Sequence, residues 1–156
     1  MLEVTNNLFV GDEASCVRDS PEYAVVHSCK YPCHNAMCGN PPNSHPNYLV
    51  KDGGKDLYLN MVDMDRKQKH QFMEPMVTAT LEFVESHIDS EPVLIHCNQG
   101  QSRSPSLAML YLAKRTDEIS DKSYQASRRE FQELYPPYNP SPGIHLYLQD
   151  YWDQLK

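Results

Sequence analysis

The segment Val93-Leu94-Ile95-His96-Cys97-Asn98-Gln99-Gly100-Gln101-Ser102-Arg103-Ser104-Pro105-Ser106 changes character twice within a few residues. It opens on a continuous apolar run, as expected of a strand buried on both faces. A short loop containing glycine follows. A helix is then expected from about Ser102, carrying Leu107, Leu110 and Tyr111 towards the core. The cysteine therefore stands where a buried strand ends and a helix is about to begin. Successive N–H groups of such a loop can turn inward as a nest for an anion, and the helix start adds its positive dipole end. Gly100 lets the backbone turn without a Cβ in the way. Arg103 supplies a planar fork for two phosphate oxygens. The same surroundings favour the thiolate form of Cys97.

A thiolate facing a bound phosphate can attack phosphorus and form a phosphocysteine intermediate. Ser104, just past the arginine, is placed to stabilise the departing thiolate when water breaks that intermediate. His96 can fix the loop by hydrogen bonding, with a satisfied buried histidine as its plainer role. The expected substrate-binding positions are Asn98, Gln99, Gly100, Gln101, Ser102 and Arg103.

Outward from this segment the chain alternates in type. Short β-like runs occur at Leu8-Phe9-Val10, at Tyr23 to His27, at Leu57 to Val62 and at Val93 to His96. Phe72, Met76, Val77, Leu81, Val84 and Ile88 recur at helical steps and predict one apolar helix face. Further helices are expected from about Asp121 to Leu134 and from Gly143 to Leu155. Strands in front, alternating with helices and closed by helices, predict an α/β fold with a central mixed sheet flanked by helices.

At 156 residues the chain fits one domain, residues 1–156, with a real core. The formal charge of −7, with no basic run beyond Arg66, Lys67 and Lys69, argues against a nucleic-acid partner. It does not exclude an anionic substrate, because positive potential can be concentrated in one pocket. No basic start with an apolar h-region and no membrane-length apolar stretch is present. Five cysteines, an odd number, are expected as reduced thiols in a cytoplasm.

The pattern His96-Cys97-x-x-Gly100-x-x-Arg103-Ser104 resembles the signature of the protein tyrosine phosphatase superfamily, and the compact chain resembles its dual-specificity branch. The continuation Ser104-Pro105-Ser106-Leu107 and the segment Asn139-Pro140-Ser141-Pro142-Gly143-Ile144 are similar to that branch as well. The resemblance implies a compact cysteine-phosphatase fold, no cofactor, and a monomer acting on a phosphorylated protein or peptide. It also implies an upstream aspartate as general acid, separated from the nucleophile by a helix and a strand. Leu59-Asn60-Met61-Val62-Asp63-Met64-Asp65 offers two candidates, 32 (Asp65) and 34 (Asp63) positions before Cys97. Asp65 ranks first because its spacing looks closer to the compact dual-specificity one; the other would be a loop carboxylate capping a turn. Asn98, Gln99, Gln101 and Ser102 are all neutral, whereas relatives that act on polyphosphorylated inositol headgroups tend to carry lysines there. Protein phosphotyrosine, with phosphoserine and phosphothreonine open, is the expected substrate.

The run from His27 to Cys38 holds three cysteines and two histidines. Its spacings Cys29-x3-Cys33 and Cys33-x4-Cys38 do not form a paired-knuckle pattern, so no metal site is expected. Cys16 and His45 are further potential ligands that nothing in the sequence requires. The run is expected instead to form a wall of the substrate cleft, with Lys30, Tyr31 and His34 as candidate contacts. Two other classes remain open. One is a catalytically weak phosphoprotein-binding module; the other is a cysteine–anion enzyme of the sulfur transferase or arsenate reductase type.

Overall fold

The computed structural model describes residues 1–16 and 22–156. Six strands form one mixed sheet: β1 (Leu2–Thr5), β2 (Leu8–Gly11), β3 (Ala24–His27), β4 (Val50–Asp52), β5 (Asp56–Leu59) and β6 (Val93–His96). Their spatial order is β1-β2-β6-β3-β5-β4. The inner four run parallel, and β1 and β4 close the two edges antiparallel. All residues of β3 and β6 are buried, so the continuous apolar character of Val93-Leu94-Ile95 reflects a strand covered on both faces.

Side-chain alternation sorts these strands between two environments. Ala24, Val26, Leu57, Leu59, Val93 and Ile95 belong to the main core. His27, Tyr58 and His96, out of phase with them, point to the opposite face. The main core is completed by α2 (His70–His87), α3 (Arg103–Arg115), α4 (Tyr124–Leu134) and α5 (Pro142–Tyr151), which follow a short α1 (Asn35–Cys38). Helix α3 is buried from Arg103 through Ala113, as befits the helix that packs against β2, β6, α2 and α4 together.

Several boundaries differ from the sequence reading. The edge strands β1 and β4 were not anticipated, because edge strands are half-exposed and carry weak alternation. Strand β5 stops at Leu59 instead of running to Val62. Residues 60–64 turn instead towards Arg103, and Met61 offers its carbonyl both to the Lys30 amide at 2.9 Å and to Arg103 at 3.0 Å. Helix α4 starts at Tyr124, where the Ser123 hydroxyl caps it by accepting from the Ala126 amide at 3.1 Å. Helix α5 begins at Pro142 and ends at Tyr151; a single 3₁₀ turn, Trp152–Gln154, carries the chain on to the buried Leu155.

Candidate active site

Cys97 follows the last residue of β6, and the loop 98–102 returns the chain to α3 directly over it. Gly100 has φ +70°, and a Cβ there would lie 3.1 Å from the Gly11 carbonyl carbon and 3.2 Å from the Tyr135 hydroxyl. Backbone conformation and space both demand glycine. That turn aims the Gly100 amide at Cys97 Sγ, 3.3 Å away, while the Gly100 carbonyl accepts from the Tyr135 hydroxyl at 2.6 Å. Burial first, and then the negative charge of Cys97, push the Tyr135 hydroxyl up to about 12, so it stays a donor. Ser104 Oγ also lies 3.2 Å from Sγ, and its one hydrogen is shared between the sulfur and the Gly11 carbonyl, to which it donates at 3.1 Å. The sulfur is thus in contact with an amide N–H and a hydroxyl.

Arg103 is buried, and each of its nitrogens is engaged. Nη1 donates to the Met61 carbonyl at 3.0 Å, Nη2 to Asn98 Oδ1 at 2.7 Å and Nε to Asp63 Oδ2 at 3.1 Å. Oxygens of Asp63 and Asn98 thus take up the Nε–Nη2 edge, the edge suited to gripping two phosphate oxygens. Asn98 is held in turn by donating Nδ2–H to the Tyr31 carbonyl at 3.0 Å.

A cleft of about 430 Å³ opens over the sulfur, lined by Asp63, Cys97, Gln99, Gln101, Ser102 and the 139–142 segment. That segment ties the two functional loops together. The Asn139 amide donates to the Gln101 carbonyl at 2.7 Å and the Ser141 amide to Ser102 Oγ at 2.8 Å. One residue into α5, the Gly143 amide donates to the Met64 carbonyl at 2.9 Å, so the loop carrying Asp63 and Asp65 is pinned to the same strap. A Cβ on Gly143 would collide with the carbonyls of Met64 and Arg66.

Of the residues singled out from sequence, Cys97, Gln99, Gln101, Ser102 and Asp63 meet at the cleft, with Arg103 and Ser104 beneath it. Asp65 does not line it; its side chain is exposed at the turn after the pinned Met64. Asn98 is turned to Arg103 and Tyr31. His34, expected at a cleft wall, is buried and donates Nε2–H to the Asn47 carbonyl at 2.8 Å, which removes it from any substrate. Tyr31 is exposed, with the Lys30 ammonium over its ring at 5.3 Å.

His96 is fully buried behind the loop. Burial first, and the neighbouring His27 second, lower it to about 4. Its folded value then lies below the unfolded one of about 6.5. The unfolded chain binds the extra proton between those values, so this contribution is full above about pH 6.5 and is lost as pH falls towards 4. The loss amounts to roughly 3 kcal/mol. Thermal melts across that window are expected to drop steeply for the wild type and to flatten for His96→Gln; equal slopes would contradict the assignment.

Cys29, Cys33, His34 and Cys38, the tightest cysteine–histidine run in sequence, do not converge. Among the described residues, the ligand atoms that come within 4.8 Å of one another are those of Cys29, Cys33 and His96, and those of Cys16, His27 and His96. His27 Nδ1 and His96 Nε2 are only 2.7 Å apart. Two nitrogens on one tetrahedral zinc, each about 2.0–2.1 Å from it, would stand roughly 3.4 Å apart. The contact is a hydrogen bond between rings, not a pair of ligands.

No protein-family model matches the chain, and no curated protein matches it by sequence. Solved structures do. A leucine-rich repeat and phosphatase domain containing protein from Entamoeba histolytica superposes with TM-score 0.66 at 17% identity, covering 98% of this chain and 90% of that one. The human tyrosine phosphatase-like serine/threonine/tyrosine-interacting protein gives 0.65 at 21%, covering 99% and 96%. Human DUSP28 gives 0.61 at 19%, also covering 99% and 96%. The fold is that of the cysteine-dependent tyrosine phosphatases. Within that class it is the compact dual-specificity form, matched over nearly the whole chain.

Proposed function

We propose that this chain is a phosphomonoester hydrolase acting on phosphorylated protein side chains through a phosphocysteine on Cys97. The observation that carries this reading is the setting of Cys97 Sγ. It touches the Gly100 amide and the Ser104 hydroxyl at the base of a cleft, with the buried guanidinium of Arg103 on the same loop. Phosphate entering the cleft takes the Nε–Nη2 edge of Arg103 and displaces the Asp63 and Asn98 oxygens. The Cys97 thiolate then attacks phosphorus; the S–P bond forms as the bond to the side-chain oxygen breaks, and that oxygen takes a proton from an aspartic acid. Water next attacks phosphorus and returns a proton to the aspartate. The S–P bond breaks, the thiolate leaves stabilised by the Ser104 hydroxyl, and inorganic phosphate departs.

Asp63 and Asp65 take different parts in this scheme. Asp63, on the phosphate edge of Arg103, stands where a phosphate oxygen will be and acts as a placeholder. Asp65, on the exposed turn that Gly143 pins beside the cleft, remains the first candidate for general acid. The neutral side chains of Asn98, Gln99, Gln101 and Ser102 favour a singly phosphorylated protein side chain over a polyphosphorylated headgroup.

The test is hydrolysis of an aryl phosphate and of phosphopeptides between mildly acidic and neutral pH, with acid-quenched enzyme analysed by mass spectrometry. Wild type is expected to turn over and to show a phosphate adduct on the Cys97 peptide; Cys97→Ser should abolish turnover. Phosphopeptide binding by an inert wild type would instead establish a binding module, and transfer of sulfane sulfur a sulfur transferase.

A further inference from the structure

Strand β3 ends in His27, followed by Ser28, and both residues grip His96 across the β3–β6 pairing. His27 and His96 are in register, and both side chains are fully buried. The Ser28 amide and hydroxyl both donate to the His96 carbonyl, at 3.0 and 2.6 Å. His27 Nδ1 is 2.7 Å from His96 Nε2, and His27 Nε2 is 2.8 Å from Asp56 Oδ1 on β5. The His27 ring stacks on Tyr58 at 4.5 Å and meets the His96 ring edge-on at 4.8 Å. The residue before Cys97 is thereby held through main chain and ring alike.

We propose that Asp56, His27 and Ser28 are positioning residues for Cys97: together they clamp His96 and dictate which of its ring nitrogens carries the hydrogen. This rests on the reading of Cys97 as nucleophile. The Asp56 carboxylate only accepts, so His27 carries hydrogen on Nε2. His27, whose charge adds to the effect of burial in lowering His96 and whose other nitrogen faces Asp56, donates Nδ1–H to the Nε2 lone pair of His96. The hydrogen of His96 is then on Nδ1, directed at the Cys97 main chain, which favours the N–H form there although the contact falls short of a full hydrogen bond. A carboxylate that fixes a histidine tautomer, and through it a nucleophile, is a general device of nucleophilic sites.

Other titratable groups surround the pair. Cys16 Sγ is 3.8 Å from His27 Nδ1 and Cys33 Sγ is 4.0 Å from His96 Nε2. Cys29 lies with Cys33 on the same side, and Tyr58 covers His27. Asp12 and Arg103 act on His96 through their charges, with opposite effect. None of these takes the Nε2 hydrogen bond from Asp56. The Asp56 side chain is 27% exposed, so the clamp begins at a residue that can be changed with little loss of packing.

The test reads ring tautomers in the full chain by nitrogen-15 correlation spectra, together with iodoacetamide labelling of Cys97. Labelling is followed on the Cys97 peptide so that the other cysteines do not contribute. Wild type is expected to show His96 as Nδ1–H and His27 with hydrogen on both ring nitrogens at neutral pH. Asp56→Ala is expected to give mixed tautomers at His96 and to slow Cys97 labelling about threefold to tenfold at fixed pH. His27→Phe, which keeps ring volume and the stack on Tyr58, should do the same. His27→Asn, whose Nδ2 can stand in for Nδ1–H as donor, should restore most of the labelling rate. Unchanged His96 tautomer and unchanged labelling in Asp56→Ala and His27→Phe would overturn the proposal. Labelling requires no turnover, so a wild type that labels normally but hydrolyses nothing would defeat the phosphatase reading alone.

Discussion

Replacing Arg103 by lysine is expected to lower kcat/KM for an aryl phosphate by about 10³-fold, within the range an arginine contributes to phosphoryl transfer. Lysine keeps the charge but not the fork. In the present geometry the guanidinium makes directed bonds to the Met61 carbonyl, to Asn98 and to Asp63. A lysine ammonium reaches one such site at a time and cannot hold two phosphate oxygens in a plane. The deficit should fall on kcat and on binding together, because Arg103 meets phosphate in both the ground state and the transition state. Competition by inorganic phosphate should weaken in parallel. A variant that loses less than tenfold, with unchanged phosphate inhibition, would show that the edge occupied by Asp63 and Asn98 is not the phosphate site.

The two aspartates are expected to give opposite kinetic signatures. Asp65→Ala should lower kcat by about 10²-fold, at the lower end of general acid–base contributions. It should also abolish the fall in rate at higher pH, because a general acid works only while protonated. Asp63→Ala should instead lower KM severalfold and leave that fall in place, since it frees the Arg103 edge that phosphate must otherwise win from a carboxylate. The reverse pattern, with Asp63→Ala removing the high-pH limb and Asp65→Ala silent, would make Asp63 the acid. Aryl phosphates with good leaving groups need little protonation, so a poorer leaving group enlarges the Asp65 effect and sharpens the comparison.

The contrast between these carboxylates marks a limit of sequence reading. Both sit at a spacing compatible with the general acid, and spacing counts residues without giving directions. The loop reverses at a turn whose Met64 carbonyl is held by Gly143, about half the chain away. That contact brings Asp63 to Arg103 and leaves Asp65 outside. The cysteine-rich run shows the same limit. Cys29, Cys33, His34 and Cys38 are close in sequence, and their spacing predicts a cleft wall rather than a metal site. In the fold, His34 turns to Asn47, while Cys29 and Cys33 approach His96.

What could be read without a structure was local chemistry. The apolar Val93-Leu94-Ile95, the obligatory glycine at 100 and the arginine at 103 constrain one another over a few residues, where backbone geometry leaves little choice. Helical periodicity located α2 and α3 for the same reason: one stripe must face one core. The strand–loop–helix geometry around Cys97 and the α/β class were therefore legible from sequence. The partners of that loop were not. His27 meets His96, and Asp56 meets His27, only because β6 lies between β2 and β3, with β5 beyond, a strand order that no periodicity encodes. Which carboxylate faces Arg103, and which histidine and serine hold the residue before Cys97, are consequences of long-range strand pairing and loop straps. Sequence specified Cys97 and its loop as a local unit, and tertiary packing decided the company they keep.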